Sequence, residues 1–205
     1  MNKRISLLTA ALLLSDASSA FAASSTDLTV TGLITPGACI PSLSNGGIVD
    51  HGKIPFKDLH PTTVTDLPRV TLQLAVNCEA ANLFALAPKD NREGTAYRPD
   101  TFGLGKVDGQ PLGDFSMILN NLMADGTAAK WIASEDGGNT WFRTVYVDPT
   151  HIIAAAAIGG PDTLLALKDL AADVSVHTSI APAEGLNLTN EVPIDGSVTF
   201  DIKYF

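Results

Sequence analysis

The side chains best suited to catalysis or metal binding are scattered along the sequence. The histidines His51, His60, His151 and His177 show neither HExxH spacing nor a pair four residues apart, which is the spacing that metal sites use. The sequence also contains no GxSxG elbow, no phosphate-binding P-loop and no GxGxxG stretch. We therefore expect no enzyme, no cofactor and no metal, with the histidines solvated or hydrogen-bonded.

One motif matches a known sequence pattern more specifically than the histidines do. The stretch SEDGGNTW at 134–141 fits the S-x-D-x-G-x-T-W pattern of the Asp-box, which resembles hairpin turns of sialidase-type β-propellers. It occurs once here, and the chain is too short for several four-stranded blades. We predict a structural turn in which Ser134 and Asp136 bind the turn backbone, Gly138 takes a positive φ and Trp141 packs on the core.

The N terminus has the pattern of a secretory signal peptide. Lys3 and Arg4 precede an apolar run over 5–14, and residues 20–22 form an A-x-A cleavage site. The apolar run is about half the roughly 20 residues that a membrane-spanning helix needs. We predict that residues 1–22 are removed, that the protein is exported to the periplasm or cell surface, and that no integral membrane segment remains.

Composition narrows the class of partner. The chain has 205 residues, of which 45% are hydrophobic and 17% are charged, as in an ordinary globular protein. Its formal net charge of −9, without a basic cluster, makes nucleic acid a poor candidate partner.

Cys39 and Cys78 are the two cysteines of the chain. In an exported protein an even pair predicts a disulfide, which would close a loop of about 40 residues and stabilise the fold by roughly 4 kcal/mol. A redox or metal pair is the weaker alternative, because the spacing is not CxxC and no cluster of metal ligands lies beside either cysteine in the sequence.

Strand patterns dominate the rest of the chain, and Gly, Pro, Asn and Asp clusters separate them, which predicts a sandwich or barrel. The region 151–160 is expected to form one or two helical turns, and 79–113 is expected to hold long loops around one or two strands. The predicted strands cover 27–34, 69–78, 114–122, 129–134, 142–148, 162–170, 173–181 and 196–205.

The last predicted strand alternates clearly. Val198, Phe200, Ile202 and Tyr204 fall on one side of an extended chain, with polar residues between them. A two-residue period is typical of a half-buried strand.

Several motifs together resemble the first half of chaperone–usher pilins. Those proteins show a V-x-G-x-I strand before a first cysteine, then VD-x-G-x-I, then a second cysteine at the end of a strand, and they finish with a penultimate tyrosine. The matching residues here are Gly32, Ile34, Cys39, Val49, Asp50, Gly52, Ile54, Cys78 and Tyr204.

Nearly the whole exported chain is also similar to a fimbrial-like family of formally unknown function. That family includes the product encoded in some glutamate-synthase operons. The similarity takes in FGLG at 102–105, LALKDLAADVSV at 165–176 and the stretch 180–197.

The resemblance implies an immunoglobulin-like β-sandwich of the pilin type that lacks its last strand. Such a subunit exposes an apolar groove, which a periplasmic chaperone fills first and the N-terminal extension of a neighbouring subunit fills later, at an outer-membrane usher. The resemblance assigns Val198, Phe200, Ile202 and Tyr204 to the groove strand and the Phe205 carboxylate to a chaperone anchor. The candidate donor residues are Leu28, Val30 and Gly32.

The expected domains are the signal peptide 1–22, an extension 23–31 that contains the donor strand, and a pilin-like domain 32–205. The expected function is an exported fimbrial subunit that contributes to cell adhesion. Only residues 23–27 precede Leu28, a short extension that favours a tip or non-polymerising subunit over a shaft subunit. The alternatives are a self-complete periplasmic binding or accessory protein, a carbohydrate-binding tip adhesin and, from the Asp-box alone, a glycan-cleaving enzyme.

Overall fold

A computed structural model describes residues 28–32 and 38–205, and the predicted signal peptide lies outside these residues. Residues 28–32 and 38–205 belong to separate units. The first unit shows no strand over its five described residues, and Leu28 and Val30 are exposed. The strand predicted over 27–34 is therefore not formed at 28–32. An alternating pattern becomes a strand only when a neighbouring strand satisfies its backbone groups.

The larger unit is built from strands and three short 3₁₀ turns. The turns cover Ser44–Gly47, Phe56–Asp58 and Ala183–Gly185. The strands are β1 (Cys39–Leu43), β2 (Thr65–Asp66), β3 (Val70–Asp90), β4 (Phe102–Gly103), β5 (Lys106–Val107), β6 (Gln110–Pro111), β7 (Gly113–Ala124), β8 (Thr127–Ser134), β9 (Phe142–Arg143), β10 (Tyr146–Val147), β11 (Ile152–Ala157), β12 (Ala166–Ile180) and β13 (Val198–Tyr204). The predicted all-β class is confirmed.

Most strands belong to one antiparallel sheet that closes on itself. The order β3-β11-β8-β7-β12 returns to β3, because β12 also pairs with β3. Strand β3 is long enough to take part in both faces of the fold. Its first half pairs with β1 and β12, and its second half pairs with β13 and, at one position, with β11. Strands β5 and β6 form a separate hairpin.

One apolar core fills the space between the two faces. Leu74 and Val76 of β3, Leu119 of β7 and Val174 of β12 are buried in the same cluster as Ile153 of β11. A second, smaller cluster lies on the outer side of β8 and β11, where Trp141 packs against Ala85, Ile132, Ala154 and Ala156.

The helical turns predicted over 151–160 are wrong, because this region contains β11. Strand β11 lies between β8 and β3, and Ile153, Ala154, Ala155 and Ala156 are all buried. A strand buried on both faces shows no alternation, and a run of alanine favours a helix by intrinsic propensity. Packing between two neighbouring strands overrides that preference here.

Other predicted bounds also change. Two predicted strands, 162–170 and 173–181, form the single strand β12, which carries register shifts against both neighbours. The stretch 142–148 forms only the short strands β9 and β10. The region 79–113 begins as a direct continuation of β3 to Asp90, not as a loop.

Candidate functional site: a groove beside β13

Strand β13 is paired along one edge. It runs antiparallel to the second half of β3, with Val198 opposite Asp90 and Tyr204 opposite Phe84. Within the described residues, no second strand pairs with β13. Its other edge therefore carries unsatisfied backbone groups, which is the usual template for adding a strand from another chain.

The side chains of β13 divide as the sequence predicts. Val198, Phe200, Ile202 and Tyr204 are half-buried and pack against the main core, whereas Thr199, Asp201 and Lys203 are exposed. The Tyr204 hydroxyl also accepts a hydrogen bond of 2.8 Å from the Cys39 backbone N–H. This bond joins the end of β13 to the start of β1.

A groove lies between β13 and the segment that follows β1. Its first lobe has a volume of about 320 Å³ and lies between the segments 43–51 and 194–200. The floor of this lobe is made of core side chains: Leu72, Leu104, Phe115, Met117, Val174 and Val176. Gly196 forms part of the wall, where a Cβ atom would lie 2.8 Å from Leu104 Cδ2 and 2.9 Å from Phe115 Cε1.

A second lobe of about 720 Å³ continues the groove. It lies between the segments 49–56 and 188–194, with Leu59, Leu112 and Ile180 beneath. Val49, His51 and Ile194 line both lobes. The groove is therefore continuous, and it follows two stretches of chain that form no strand of their own.

Polar contacts are few in the groove. His51 Nε2 lies 3.0 Å from the hydroxyl of Thr178, which is buried. In the second lobe Lys53 and Glu191 form an ion pair of 2.7 Å between fully solvated side chains. An exposed pair of this kind contributes little to stability, so the groove stays open to an apolar occupant.

The segment 49–52 shapes one wall. The Asp50 carboxylate accepts a hydrogen bond of 2.7 Å from the Gly52 backbone N–H, and Gly52 has a φ of 64°. A positive φ suits glycine, so the turn explains why the VDHG stretch needs Gly52. Asp50 and Gly52, which match the pilin pattern in the sequence, line the second lobe of the groove.

Cys39 and Cys78 form the predicted disulfide. The two residues lie directly opposite each other in the β1–β3 ladder, with their Cα atoms 3.9 Å apart. The bond therefore fixes β1 to the middle of β3. The hydrogen bond between Cys39 and Tyr204 also links the end of β13 to this disulfide.

The stretch 134–141 forms a turn organised by Asp136. Its carboxylate accepts hydrogen bonds from the Ser134 hydroxyl at 2.7 Å, from the Thr140 backbone N–H at 2.9 Å and from the Thr140 hydroxyl at 2.6 Å. These hydrogen bonds, above all the one from the Thr140 side chain, lower the pKa of Asp136 far below its ordinary value. Trp141 Nε1 closes the turn by donating to the Gly138 carbonyl at 3.0 Å.

Phe205 lies against this turn. Its ring meets Trp141 edge-on, with 5.9 Å between the ring centroids, and Lys203 Nζ donates to the Gly137 carbonyl at 2.7 Å. The predicted role of Phe205 used only its carboxylate, and nothing in the sequence spacing relates residue 205 to residues 137–141. The contact depends on the register of β13 against β3.

An ion pair between the buried Asp114 and the exposed Arg98 holds the region after β3, and no local sequence pattern indicates it. Asp114 is completely buried and accepts hydrogen bonds from the Arg98 backbone N–H at 3.1 Å and from Arg98 Nε at 3.0 Å. Arg98 also donates to the Ser179 hydroxyl, which in turn donates to Asp66. The hydrogen bond with Asp114 is the main reason why the pKa of Arg98 is raised. The group fastens the loop after β3 to β7 and β12.

The histidines remain apart. In residues 28–32 and 38–205, no group of three side chains could hold a metal ion. Burial, followed by the nearby Arg69, lowers the pKa of His177, which favours the neutral ring. Over the same residues, no helix has the length and apolar character to cross a membrane.

Part of the chain is similar to a protein family that has no assigned function. The family model described as Protein of unknown function (DUF1120) matches residues 28–116. These residues include both cysteines and the VDHG stretch but not β13. The predicted resemblance to a family of unknown function is confirmed.

Two relatives come from Escherichia coli (strain K12). Protein GltF is 45% identical over 83 residues, which cover 38% of this chain and 33% of GltF. Uncharacterized protein YhcF is 28% identical over 223 residues, which cover 92% of this chain and 94% of YhcF. The chain thus matches about a third of GltF and nearly all of YhcF, and neither name states an activity.

Proposed function

We propose that this protein is an exported fimbrial-type structural subunit, assembled by the addition of a strand from a neighbouring chain. The observation that carries the proposal is the groove beside β13, whose floor is made of core side chains. A core that opens on a groove lacks one element, and the unpaired edge of β13 offers backbone partners for an extended strand. A periplasmic chaperone and an outer-membrane usher are the corresponding partners.

The same observation supports the finer description of the fold. Seven or more antiparallel strands on two faces, a missing strand beside the last one and a disulfide between β1 and β3 suit an incomplete immunoglobulin-like sandwich of the pilin type. In this description the N-terminal extension 23–31, which contains Leu28 and Val30, supplies the strand for a neighbouring subunit together with the following Gly32. Their spacing puts the apolar side chains on one face of an extended peptide.

Peptide binding tests the proposal. The chain lacking residues 1–22 is mixed with a fluorescent peptide of sequence ASSTDLTVTGLI, which corresponds to 23–34, and binding is followed by fluorescence anisotropy. A peptide with Leu28→Asp and Val30→Asp is the negative control. We expect saturable binding of the first peptide alone, because a charged side chain cannot enter an apolar groove without a partner.

A matched pair of variants locates the binding. Val49→Arg introduces a charge where both lobes meet, whereas Ile48→Arg changes the adjacent, exposed residue outside the lobes. Val49→Arg should abolish binding and Ile48→Arg should leave it unchanged. Equal binding by both variants, or binding of the doubly charged peptide, contradicts the proposed groove.

The closed sheet favours a second candidate, a self-complete periplasmic accessory protein. Because β12 returns to β3, much of the core is enclosed without a partner. The two candidates differ in the role of residues 23–31. If these residues fold back to close the chain's own groove, their deletion should unfold the protein, whereas it should leave the fold of a strand-accepting subunit intact. Circular dichroism during heating separates the two results.

A further inference from the structure

The ring of Phe205 occupies a site that the turn 134–141 leaves free for it. A Cβ atom on Gly138 would lie 2.3 Å from Phe205 Cε1, so no larger residue fits at 138 without displacing the ring. Gly138 also has a φ of 107°, a conformation that glycine adopts readily. Trp141 meets the ring edge-on, the geometry that aromatic pairs prefer.

Lys203 adds a second connection between β13 and the turn. Its Nζ donates to the Gly137 carbonyl and lies 5.4 Å from the centroid of the Phe205 ring. The Phe205 backbone N–H meanwhile donates to the Leu83 carbonyl at 3.0 Å, so the residue stays aligned with β3. We call these interactions of Gly137, Gly138 and Trp141 with Lys203 and Phe205 the β13–turn contact.

The receiving side of the β13–turn contact is held in place by its own hydrogen bonds. Asp136 binds Ser134 and Thr140, and Trp141 Nε1 binds the Gly138 carbonyl. Strand β13, in contrast, pairs with β3 along one edge, and none of the other strands in 38–205 pairs with its second edge. A fixed turn at the end of a strand with one neighbour limits the movement of that strand.

We propose that the turn 134–141 is a positioning site for β13: it holds Phe205 and Lys203 so that the free edge of β13 is aligned to receive a strand. This role rests on the proposed function of that edge. Gly138 and Trp141 then influence strand binding although neither lines the groove. The Asp-box-like motif, which the sequence predicts only as a turn, would then contribute to assembly by positioning β13.

Gly138→Ala is the main test, and Gly159→Ala is its matched control. Gly159 also has a positive φ, of 77°, but a Cβ atom there meets nothing within 4 Å. Both variants carry backbone strain, and only Gly138→Ala displaces Phe205. The two readouts are amide hydrogen exchange over 198–205 and affinity for the 23–34 peptide.

Gly138→Ala should speed exchange over 198–205 and weaken peptide binding, each by about two- to tenfold, the factor that the energy of one aromatic pair corresponds to. Gly159→Ala should change neither. Trp141→Phe should retain most of the affinity because it keeps a ring against Phe205, whereas Trp141→Ala should behave like Gly138→Ala. In a Phe205→Ala background, Gly138→Ala should have no further effect on affinity.

The outcomes separate the inference from the proposed function. Equal exchange rates in Gly138→Ala and Gly159→Ala overturn the positioning role, whether or not the peptide binds. Failure of the unaltered chain to bind the peptide overturns the proposed function and with it the role of the turn in assembly. Faster exchange in Gly138→Ala without any change in affinity also overturns that role, because the contact then holds β13 without affecting the edge.

Discussion

Strands β12 and β13 show the same alternating pattern of apolar residues but receive different numbers of neighbours. Strand β12 pairs with β3 on one edge and β7 on the other, and its apolar residues, such as Leu170 and Val174, are almost completely buried. Among the strands that the structure describes, β13 pairs with β3 alone, and Phe200 and Ile202 remain half-buried. The same sequence signal thus leads to a completed strand in one place and an uncompleted one in the other.

The difference shows what a second neighbour supplies. It covers the apolar side chains from the side and satisfies the backbone groups of the free edge. At β13 the inward side chains pack on the core, and Val198 and Phe200 also line the groove. The hydrogen bond of Tyr204 with Cys39 and the contact of Phe205 with the turn both hold the C-terminal end of β13, whereas Val198 and Phe200 border the groove nearer its other end.

Removal of the disulfide should have the largest effect on the region around the groove. We expect the Cys39→Ser/Cys78→Ser variant to lose roughly 4 kcal/mol of unfolding free energy, because the bond closes a long loop in the unfolded chain. The cysteines are 39 residues apart in sequence. Urea denaturation of the oxidised protein and the double variant measures the loss, and a difference below about 1 kcal/mol contradicts the prediction.

Paired alanine substitutions compare the two strands directly. Leu170→Ala in β12 should cost about 3 kcal/mol, because the side chain is buried and its removal leaves a cavity. Ile202→Ala in β13 should cost about 1 kcal/mol, since part of the side chain is already in water. Urea denaturation gives both values.

Saturating 23–34 peptide sharpens this comparison. It should increase the cost of Ile202→Ala, because a bound strand stabilises β13, and leave the cost of Leu170→Ala unchanged. Equal costs at the two positions without the peptide would show that β13 is as complete as β12.

Local patterns were sufficient to predict much of this fold. Alternation identified the strands around Leu74, Leu119 and Phe200, and an even cysteine count in a chain predicted to be exported indicated the disulfide. The same method failed at 151–160, because a strand buried on both faces has no alternation. It also ended β3 at Cys78, since the stretch from Glu79 to Asn82 interrupts the apolar alternation and gives no sign that the strand continues onto the second face.

The site was predictable only where its residues are close in sequence. The apolar face of β13 and the turn 134–141 each follow from a short stretch. The groove wall at 188–194, the ion pair of Arg98 with the buried Asp114 and the contact of Phe205 with Trp141 do not, because they depend on long-range register. No local pattern records how far one strand is displaced along another.

Acid should weaken the turn at the end of β13, the smallest of the expected effects. The folded-state pKa of Asp136 is lowered, so its contribution to stability is complete above the unfolded pKa of about 3.9 and is lost as pH falls further. The hydrogen bond from Arg92 also lowers the pKa of Asp195, so protonation of Asp195 in acid should likewise reduce stability. Asp136→Asn should therefore reduce the acid sensitivity of stability without removing it.

Thermal unfolding between about pH 5 and pH 2 measures the effect. Asp201→Asn is the control with the same change of charge, because Asp201 is exposed on β13 and its carboxylate makes no hydrogen bond or ion pair within the described residues. Protection of the 198–205 amides, meaning their exchange rate relative to the intrinsic rate at each pH, should fall in acid for the unaltered chain and for Asp201→Asn. The same protection in Asp136→Asn should depend less on pH, because its turn has no carboxylate to protonate. Identical pH dependence in all three proteins would show that the turn does not hold β13, and that β3 alone keeps the strand in place.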